Sequence, residues 1–140
     1  MAYGGASAIA LGGLAGPFGC VRGQAPWPQP YFDQAGGVFP VYHARRALGA
    51  LAGARLHHLS SSKPRDVMGL AAKTGQGVEV LLANLTGEAQ HITLSGLGDA
   101  FTIARLDAAH FVSAAQDPTF FEMHAETIKG PITLDRKSVV

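Results

Sequence analysis

Six histidines and one cysteine are the residues of this chain best suited to metal binding or nucleophilic chemistry. His57 and His58 are adjacent, and neighbouring side chains of a strand point to opposite faces, so the two cannot bind one metal ion. We therefore interpret them as strand histidines, one of them partly buried, and expect neither a metal nor a cofactor. The remaining four histidines have no Cys, Asp or Glu at ligand spacing: His43, His91, His110 and His124.

Cys20 lies in a glycine-rich apolar stretch with no histidine nearby in sequence, which favours an inert buried thiol over a nucleophile. The surrounding glycines match neither a dinucleotide-binding pattern nor a phosphate loop. Asn84 begins a glycosylation pattern, but it stands at the end of a predicted buried strand, so we interpret the match as chance. Because no pair of carboxylates stands out either, we predict no catalytic residue.

Trp27, Tyr31 and Phe32 form an aromatic group among alternating prolines. Flat apolar rings with a polar tip suit a polyol ligand, and on this reading Trp27 and Tyr31 are substrate-binding residues. On the alternative reading the group is a loop packed against the next domain. The sequence leaves both readings open.

The first 40 residues differ in composition from the rest, with only two charges but nine of the 18 glycines and five of the eight prolines. Residues 6–11 predict an apolar strand buried on both faces. Residues 26–32 predict an extended loop, because the prolines exclude a helix. A helix follows at 40–51, and its predicted buried face has apolar residues at helical spacing: Val41, Ala44, Leu48 and Leu51. Strand, loop and helix in this order predict a βα unit.

Short strands separated by turn residues follow from residue 53, a pattern typical of an antiparallel β-sandwich. The central feature is a predicted hairpin of strands 78–85 and 90–97, in which the first strand is covered on both faces. Residues 110–112 are a possible further strand. The fold class is thus mainly β, a sandwich preceded by one βα unit. Alternation predicts these core residues: Val80, Leu82, Ile92, Leu94, Phe101, Ile103, Ile132 and Leu134.

The charge content is low, since charged residues make up 15% of the chain and the net charge is +1, whereas about 25% is typical. The weak field argues against nucleic acid as a partner, and no run of about 18 apolar residues predicts a membrane span. The N-terminal run has no basic segment and is interrupted by glycines, so we expect no signal peptide and a cytoplasmic location. The shortage of charge suggests that another protein surface covers part of this one.

Four short motifs carry a resemblance to a known family: LAGPFG at 14–19, VFPVYH at 38–43, VLLANLT at 80–86 and ARLD at 104–107. Together they resemble the C-terminal third of the D-apionate lactonase family, in which a TIM barrel like that of clan-A glycoside hydrolases precedes a β-sandwich. The resemblance implies that residues 1–52 are the last βα unit of a barrel and that residues 53–140 are an accessory sandwich. The catalytic carboxylates of the family would lie on earlier strands, so no catalytic residue is carried over.

The first functional hypothesis is therefore a non-catalytic C-terminal portion of a carbohydrate-processing hydrolase, whose sandwich buttresses the barrel. Its partners would be the N-terminal barrel of the parent chain and, in that parent, a small sugar or sugar-acid substrate. Self-association through an exposed apolar face is also expected. The alternatives are a stand-alone carbohydrate-binding or protein-interaction module, and a small enzyme that uses Cys20 or a histidine.

Overall fold

The computed structural model describes residues 12–16, 19–34 and 36–140, and the strand predicted at 6–11 lies outside them. The described chain begins with a long loop, continues into one helix, and then forms short strands with two further helices between the fifth and sixth strands. The helices are α1 (Val41–Ala50), α2 (Phe111–Gln116) and α3 (Phe120–Met123). The strands are β1 (Arg55–His57), β2 (Val67–Thr74), β3 (Gly77–Asn84), β4 (Gln90–Ile92), β5 (Ala100–Ile103), β6 (Glu126–Lys129) and β7 (Ile132–Leu134).

The strands form antiparallel pairs throughout. One sheet has the order β1-β2-β3, while β4 pairs with β7 and β5 pairs with β6. Residues 138–140 lie along the free edge of β3, where the amide of Leu82 donates to the carbonyl oxygen of Val140 at 2.7 Å. The prediction of a mainly β chain built from antiparallel strands is confirmed.

The main core joins residues from all three groups of strands. Its buried members are Val67 and four residues that alternation predicted, Leu82, Ile103, Ile132 and Leu134. The predicted Val80, Ile92 and Leu94 are partly buried and pack against this cluster, whereas Phe101 is half-buried and lies outside it. A second cluster forms beneath the helices from Leu106, Ala114 and Phe120.

Truncating Leu82 should test this core directly. Its side chain is buried within the main cluster, so Leu82→Ala should lower the free energy of unfolding by about 2–5 kcal/mol. Val78 lies on the same strand but is 43% exposed, so Val78→Ala should lower the free energy of unfolding by about 0.5 kcal/mol or less. Urea denaturation of the two variants measures the difference, and equal losses would show that the register of β3 is wrong.

The predicted hairpin between 78–85 and 90–97 is wrong. β3 instead pairs with β2 through the two-residue turn at 75–76, and β4 pairs with β7. The reason is Asn84, whose side chain holds the connection after β3 in a local turn that carries the chain to the other group of strands. Cover on both faces of β3 is also incomplete, because only Leu82 and Asn84 of this strand are buried.

Helix α1 begins after Pro40 as predicted, but its buried face was predicted only in part. Leu51 is buried as predicted, whereas Val41 and Leu48 are 45% and 43% exposed. The buried residue within the helix is His43, which is 1% exposed. A histidine counts as polar in a periodicity argument, yet the ring of His43 packs against aromatic rings and its Nε2 lies 2.7 Å from the carbonyl oxygen of Ala114. A paired imidazole can therefore occupy the buried face of a helix.

The possible strand at 110–112 is a helix in the structure, since α2 begins at Phe111. The carboxylate of Asp107 accepts the backbone N–H of His110 at 3.1 Å, which satisfies a donor at the start of the helical turn. Ala114 and Ala115 of α2 are fully buried. Their small side chains allow the helix to pack closely against the second core cluster, and this packing outweighs the strand propensity of Val112.

Candidate functional site: the aromatic loop

The predicted substrate-binding residues lie on a long loop between Cys20 and helix α1. We call residues 22–39 the aromatic loop; residue 35 lies outside the described part of the chain. Its two ends are joined, because the amide of Arg22 donates to the carbonyl oxygen of Gly37 at 3.1 Å and the amide of Phe39 donates to that of Cys20 at 2.9 Å. The loop is thus closed at its base, and residues 26–33 form its tip.

The tip is held by a turn over residues 29–33. The carbonyl oxygen of Gln29 accepts the amides of Phe32 and Asp33, each at 3.0 Å. The carboxylate of Asp33 accepts the Gln29 amide at 2.5 Å and forms an ion pair with the guanidinium of Arg22. The hydrogen bond from Gln29, with the bonding and charge of Arg22 in addition, lowers the pKa of Asp33 below its ordinary value. The stretch is non-helical as predicted, but it closes in a turn at its end.

Tyr31 stands at the apex of this turn, with a backbone φ of 76°. A side-chain-bearing residue in the left-handed region costs on the order of 1–3 kcal/mol and persists only where its surroundings hold it. The ring is 54% exposed, and it meets the ring of Phe111 of α2 nearly at a right angle, with 6.2 Å between ring centroids and an angle of 85° between ring planes. Phe32 turns inward and packs between Phe39 and Phe111.

Trp27 is 53% exposed on the same loop. Within residues 12–16, 19–34 and 36–140, no ring contact joins Trp27 to Tyr31, so the structure does not bring the two predicted residues into one stack. Each presents a partly open ring. The arrangement can offer apolar faces to a ligand, whereas for proton transfer the tip of the loop supplies only the ion-paired Asp33 and the phenol of Tyr31.

The other candidate residues from the sequence are Cys20 and the adjacent histidines, His57 and His58. Cys20 is buried as predicted, and its Sγ lies 2.7 Å from Nη1 of Arg45. His57 and His58 are both exposed and only His57 lies in a strand, so the expectation of two strand histidines with one partly buried is wrong. In the described ranges no group of three or more His, Cys, Asp or Glu could hold a metal ion. No helix among the same residues is long and apolar enough to cross a membrane.

Two features were missed in the sequence. His110 was judged to have no nearby carboxylate, but its Nδ1 lies 2.7 Å from Oδ1 of Asp107, three residues earlier. The signal was the D-x-x-H spacing, which brings two side chains together only on a helical turn, and this segment was expected to be a strand. Phe111 was missed for the same reason, although it contacts two aromatic rings of the loop.

Asn84 is not available to a glycosyl group. Its side chain is buried, and its Nδ2 donates to the carbonyl oxygens of Glu88 and Asp135 at 2.7 and 2.9 Å. The amide nitrogen that would carry a sugar is therefore already used within the fold. This geometry supports the interpretation of the pattern as chance.

Comparison with known proteins gives one family. The family described as "D-apionate lactonase, C-terminal immunoglobulin-like domain" matches residues 64–135, just over half of the chain. This range runs from the loop before β2 to the end of β7, and it includes the main core and both short helices. Neither a curated protein nor a solved structure gives a match. The chain therefore belongs to the family of C-terminal immunoglobulin-like domains of D-apionate lactonases.

Proposed function

We propose that this chain is the non-catalytic C-terminal portion of a carbohydrate-processing hydrolase that resembles D-apionate lactonase. In this proposal residues 1–52 complete a (β/α)8 barrel as its last βα unit, and residues 53–140 form the sandwich that buttresses the barrel. Family membership supports the identity of the sandwich. The barrel, which the parent chain would supply, is the proposed partner of residues 1–52.

Helix α1 carries the proposal because one of its sides is attached to the sandwich and the other exposes apolar residues. One side attaches it to the sandwich: His43 meets Ala114, and Arg46 forms an ion pair with Glu122. The other side is bare, with Val41 and Leu48 each more than 40% exposed. An apolar helix side without cover is typical of a surface that packs against another protein layer.

The surroundings of this bare side extend the apolar surface. Val41 lines an open cleft of about 850 Å³ between α1 and the sandwich, whose lining is mostly apolar and includes Leu106 and Val139. Leu14 is 79% exposed on the loop that Arg45 holds against the helix through the carbonyl oxygen of Gly13. A chain with only 15% charged residues has little means of keeping such a surface soluble alone. A barrel layer would cover it.

Replacing one apolar side chain of the bare side by a polar one should reduce self-association of the isolated chain. Leu48→Gln keeps a good helix former and takes apolar area from the proposed interface. We expect sedimentation velocity to show a shift from oligomer towards monomer, together with weaker binding of a dye that detects apolar surface.

The matched control is Met123→Gln on helix α3. Met123 is 71% exposed, so this variant changes a side chain that is more exposed than Leu48 but lies outside the proposed interface. It should leave the oligomer unchanged. Equal effects of the two variants would mean that association is unspecific, and a wild-type chain that stays monomeric at high concentration would contradict the proposed interface.

The contribution of this chain to substrate binding would come from the aromatic loop. Loops that follow barrel strands stand at the face where TIM-barrel active sites lie. Trp27 and Tyr31, each about half exposed, would stack against a small sugar or sugar acid, while catalytic groups would come from the parent's earlier strands. The isolated chain is then expected to show no turnover.

In a longer chain that carries the barrel, Trp27→Ala should lower kcat/KM by roughly tenfold or more, because stacking area is lost from the bound substrate. The melting temperature should hardly change, since the Trp27 ring is 53% exposed. Steady-state kinetics and calorimetry on the same preparation give both readouts. Unchanged activity with a lower melting temperature would show that the loop serves packing alone.

The alternative of a stand-alone carbohydrate-binding sandwich has less support. Such a module would need aromatic rings on an exposed sheet face, and the seven described strands contain a single Phe, Tyr or Trp residue, the half-buried Phe101. A small enzyme that uses Cys20 is also poorly supported, because the thiol is buried against Arg45.

A further inference from the structure

Helix α2 of the sandwich contacts the aromatic loop through one ring. Tyr31 and Phe32 both meet Phe111 at nearly perpendicular angles, with ring centroids 6.2 and 5.9 Å apart. Edge-to-face geometry is a favoured arrangement of aromatic pairs, and it is directional, so it selects an orientation of the rings as well as burying them.

The same helix also contacts the base of the loop. The amide of Val38 donates to the carbonyl oxygen of Ala115 at 3.0 Å, and the side-chain amide of Gln34 donates to that of Gln116 at 3.4 Å. Val38 is buried. α2 therefore contacts the loop at both of its own ends, through the Phe111 ring at one end and through backbone carbonyls at the other.

The backbone of Tyr31 shows why such support is needed. Its φ of 76° is unfavourable for tyrosine, and the turn at 29–33 must be held against that cost. The Arg22–Asp33 ion pair acts from within the loop and lies near the surface, so it contributes little by itself. The hydrogen bonds between Gln29, Phe32 and Asp33 also act from within the loop, and Phe111 adds a ring contact with Tyr31 from outside it.

We propose that Phe111 is a positioning residue through which the sandwich sets the conformation of the aromatic loop. An effect of Phe111 on substrate binding rests on the proposed function, whereas its effect on the conformation of the loop can be measured in this chain without substrate. The sandwich would then do more than support a barrel, because it would orient Tyr31, and with it the tip that carries Trp27, at the mouth of the site.

Amide hydrogen exchange of Phe111→Ala measures the positioning. Loss of two edge-to-face contacts should speed exchange at Phe32, Asp33 and Val38 by about tenfold. The core amide of Leu82, which is bonded to Val140, is the internal reference, because a general loss of stability would speed its exchange equally. Val112→Ala is the matched control, since Val112 is the next residue of α2 and is 40% exposed.

Two further measurements separate positioning from helix formation. Phe111→Tyr retains the ring edge and should restore slow exchange, whereas Phe111→Leu retains an apolar side chain without a ring and should not. Trp27 is the chain's one tryptophan, so its quenching by iodide reports on the tip of the loop. Quenching should rise in Phe111→Ala, by no more than about twofold because the ring is already 53% exposed.

Two results would overturn the inference. One is amide exchange of the loop in Phe111→Ala that stays within error of that in Val112→Ala. The other is exchange in Phe111→Leu that is as slow as in Phe111→Tyr. The parent chain distinguishes this failure from a failure of the proposed function. If loop exchange and quenching change but KM in Phe111→Ala does not, then Phe111 positions the loop and the loop does not contact substrate. If KM rises together with the change in exchange, both proposals are supported.

Discussion

Replacing Asn84 by aspartate should lower the free energy of unfolding by roughly 3–5 kcal/mol. Asn84 is 3% exposed, and its Nδ2 donates to carbonyl oxygens of Glu88 and Asp135. Its Oδ1 accepts the backbone amide and the hydroxyl of Thr86 at 2.9 and 2.8 Å. In the variant an acceptor oxygen would face carbonyl oxygens, so two hydrogen bonds would become repulsive contacts and a charge would be buried.

Urea denaturation followed by circular dichroism measures this loss. Glu88→Ala is the matched control, because only the backbone carbonyl of Glu88 bonds to Asn84 and its side chain is exposed. This variant should stay within about 0.5 kcal/mol of the wild-type chain. An Asn84→Asp variant that loses less than about 1 kcal/mol would show that the buried amide does not hold β3 to the end of β7.

Replacing His43 by alanine should lower the free energy of unfolding by roughly 3–4 kcal/mol. This loss combines the effect of the cavity left by the ring with that of leaving the Ala114 carbonyl oxygen unpaired. The ring is 1% exposed and packs against Phe120 and Phe121. Its Nε2 is paired with the carbonyl oxygen of Ala114 at 2.7 Å. Since His43 is the most deeply buried residue of α1, the variant should also loosen the helix from the sandwich.

Leu48→Ala in the same helix is the comparison, because Leu48 is 43% exposed and should change stability by about 0.5 kcal/mol or less. Hydrogen exchange in α1 then shows whether the helix separates from the sandwich. Protection of α1 should fall in His43→Ala before protection of β3 does. A uniform loss over both elements would mean that α1 unfolds only with the sandwich, as one cooperative unit.

Periodicity predicted most of the core positions in the strands, because burial leaves a local signal. In β7, Ile132 and Leu134 are buried and the residue between them is exposed, as the alternation at 132–134 indicates. The start of α1 was equally clear, since Pro40 has a backbone suited to the first turn. Short sequence motifs also predicted the family that residues 64–135 match.

The tip of the aromatic loop was predictable only in part. Alternating prolines excluded a helix around Trp27, and no local pattern showed that Tyr31 takes a left-handed backbone. The partner of Tyr31 was hidden as well, because Phe111 lies 80 positions further along the chain, in a segment whose own residues suggested a strand. The importance of Phe111 follows from this long-range contact alone.

The sequence by itself thus determined that short strands follow helix α1, which positions of strands such as β7 are buried, and which family the sandwich belongs to. Only the tertiary structure decided that β3 pairs with β2, that α1 buries His43, and that α2 holds the aromatic loop. The physical reason is that alternation reports the burial of each residue separately and does not say which elements lie side by side. The turn at 75–76 pairs β3 with β2 locally, whereas contacts such as Asn84 with Asp135 and His43 with Ala114 join residues 51 and 71 positions apart.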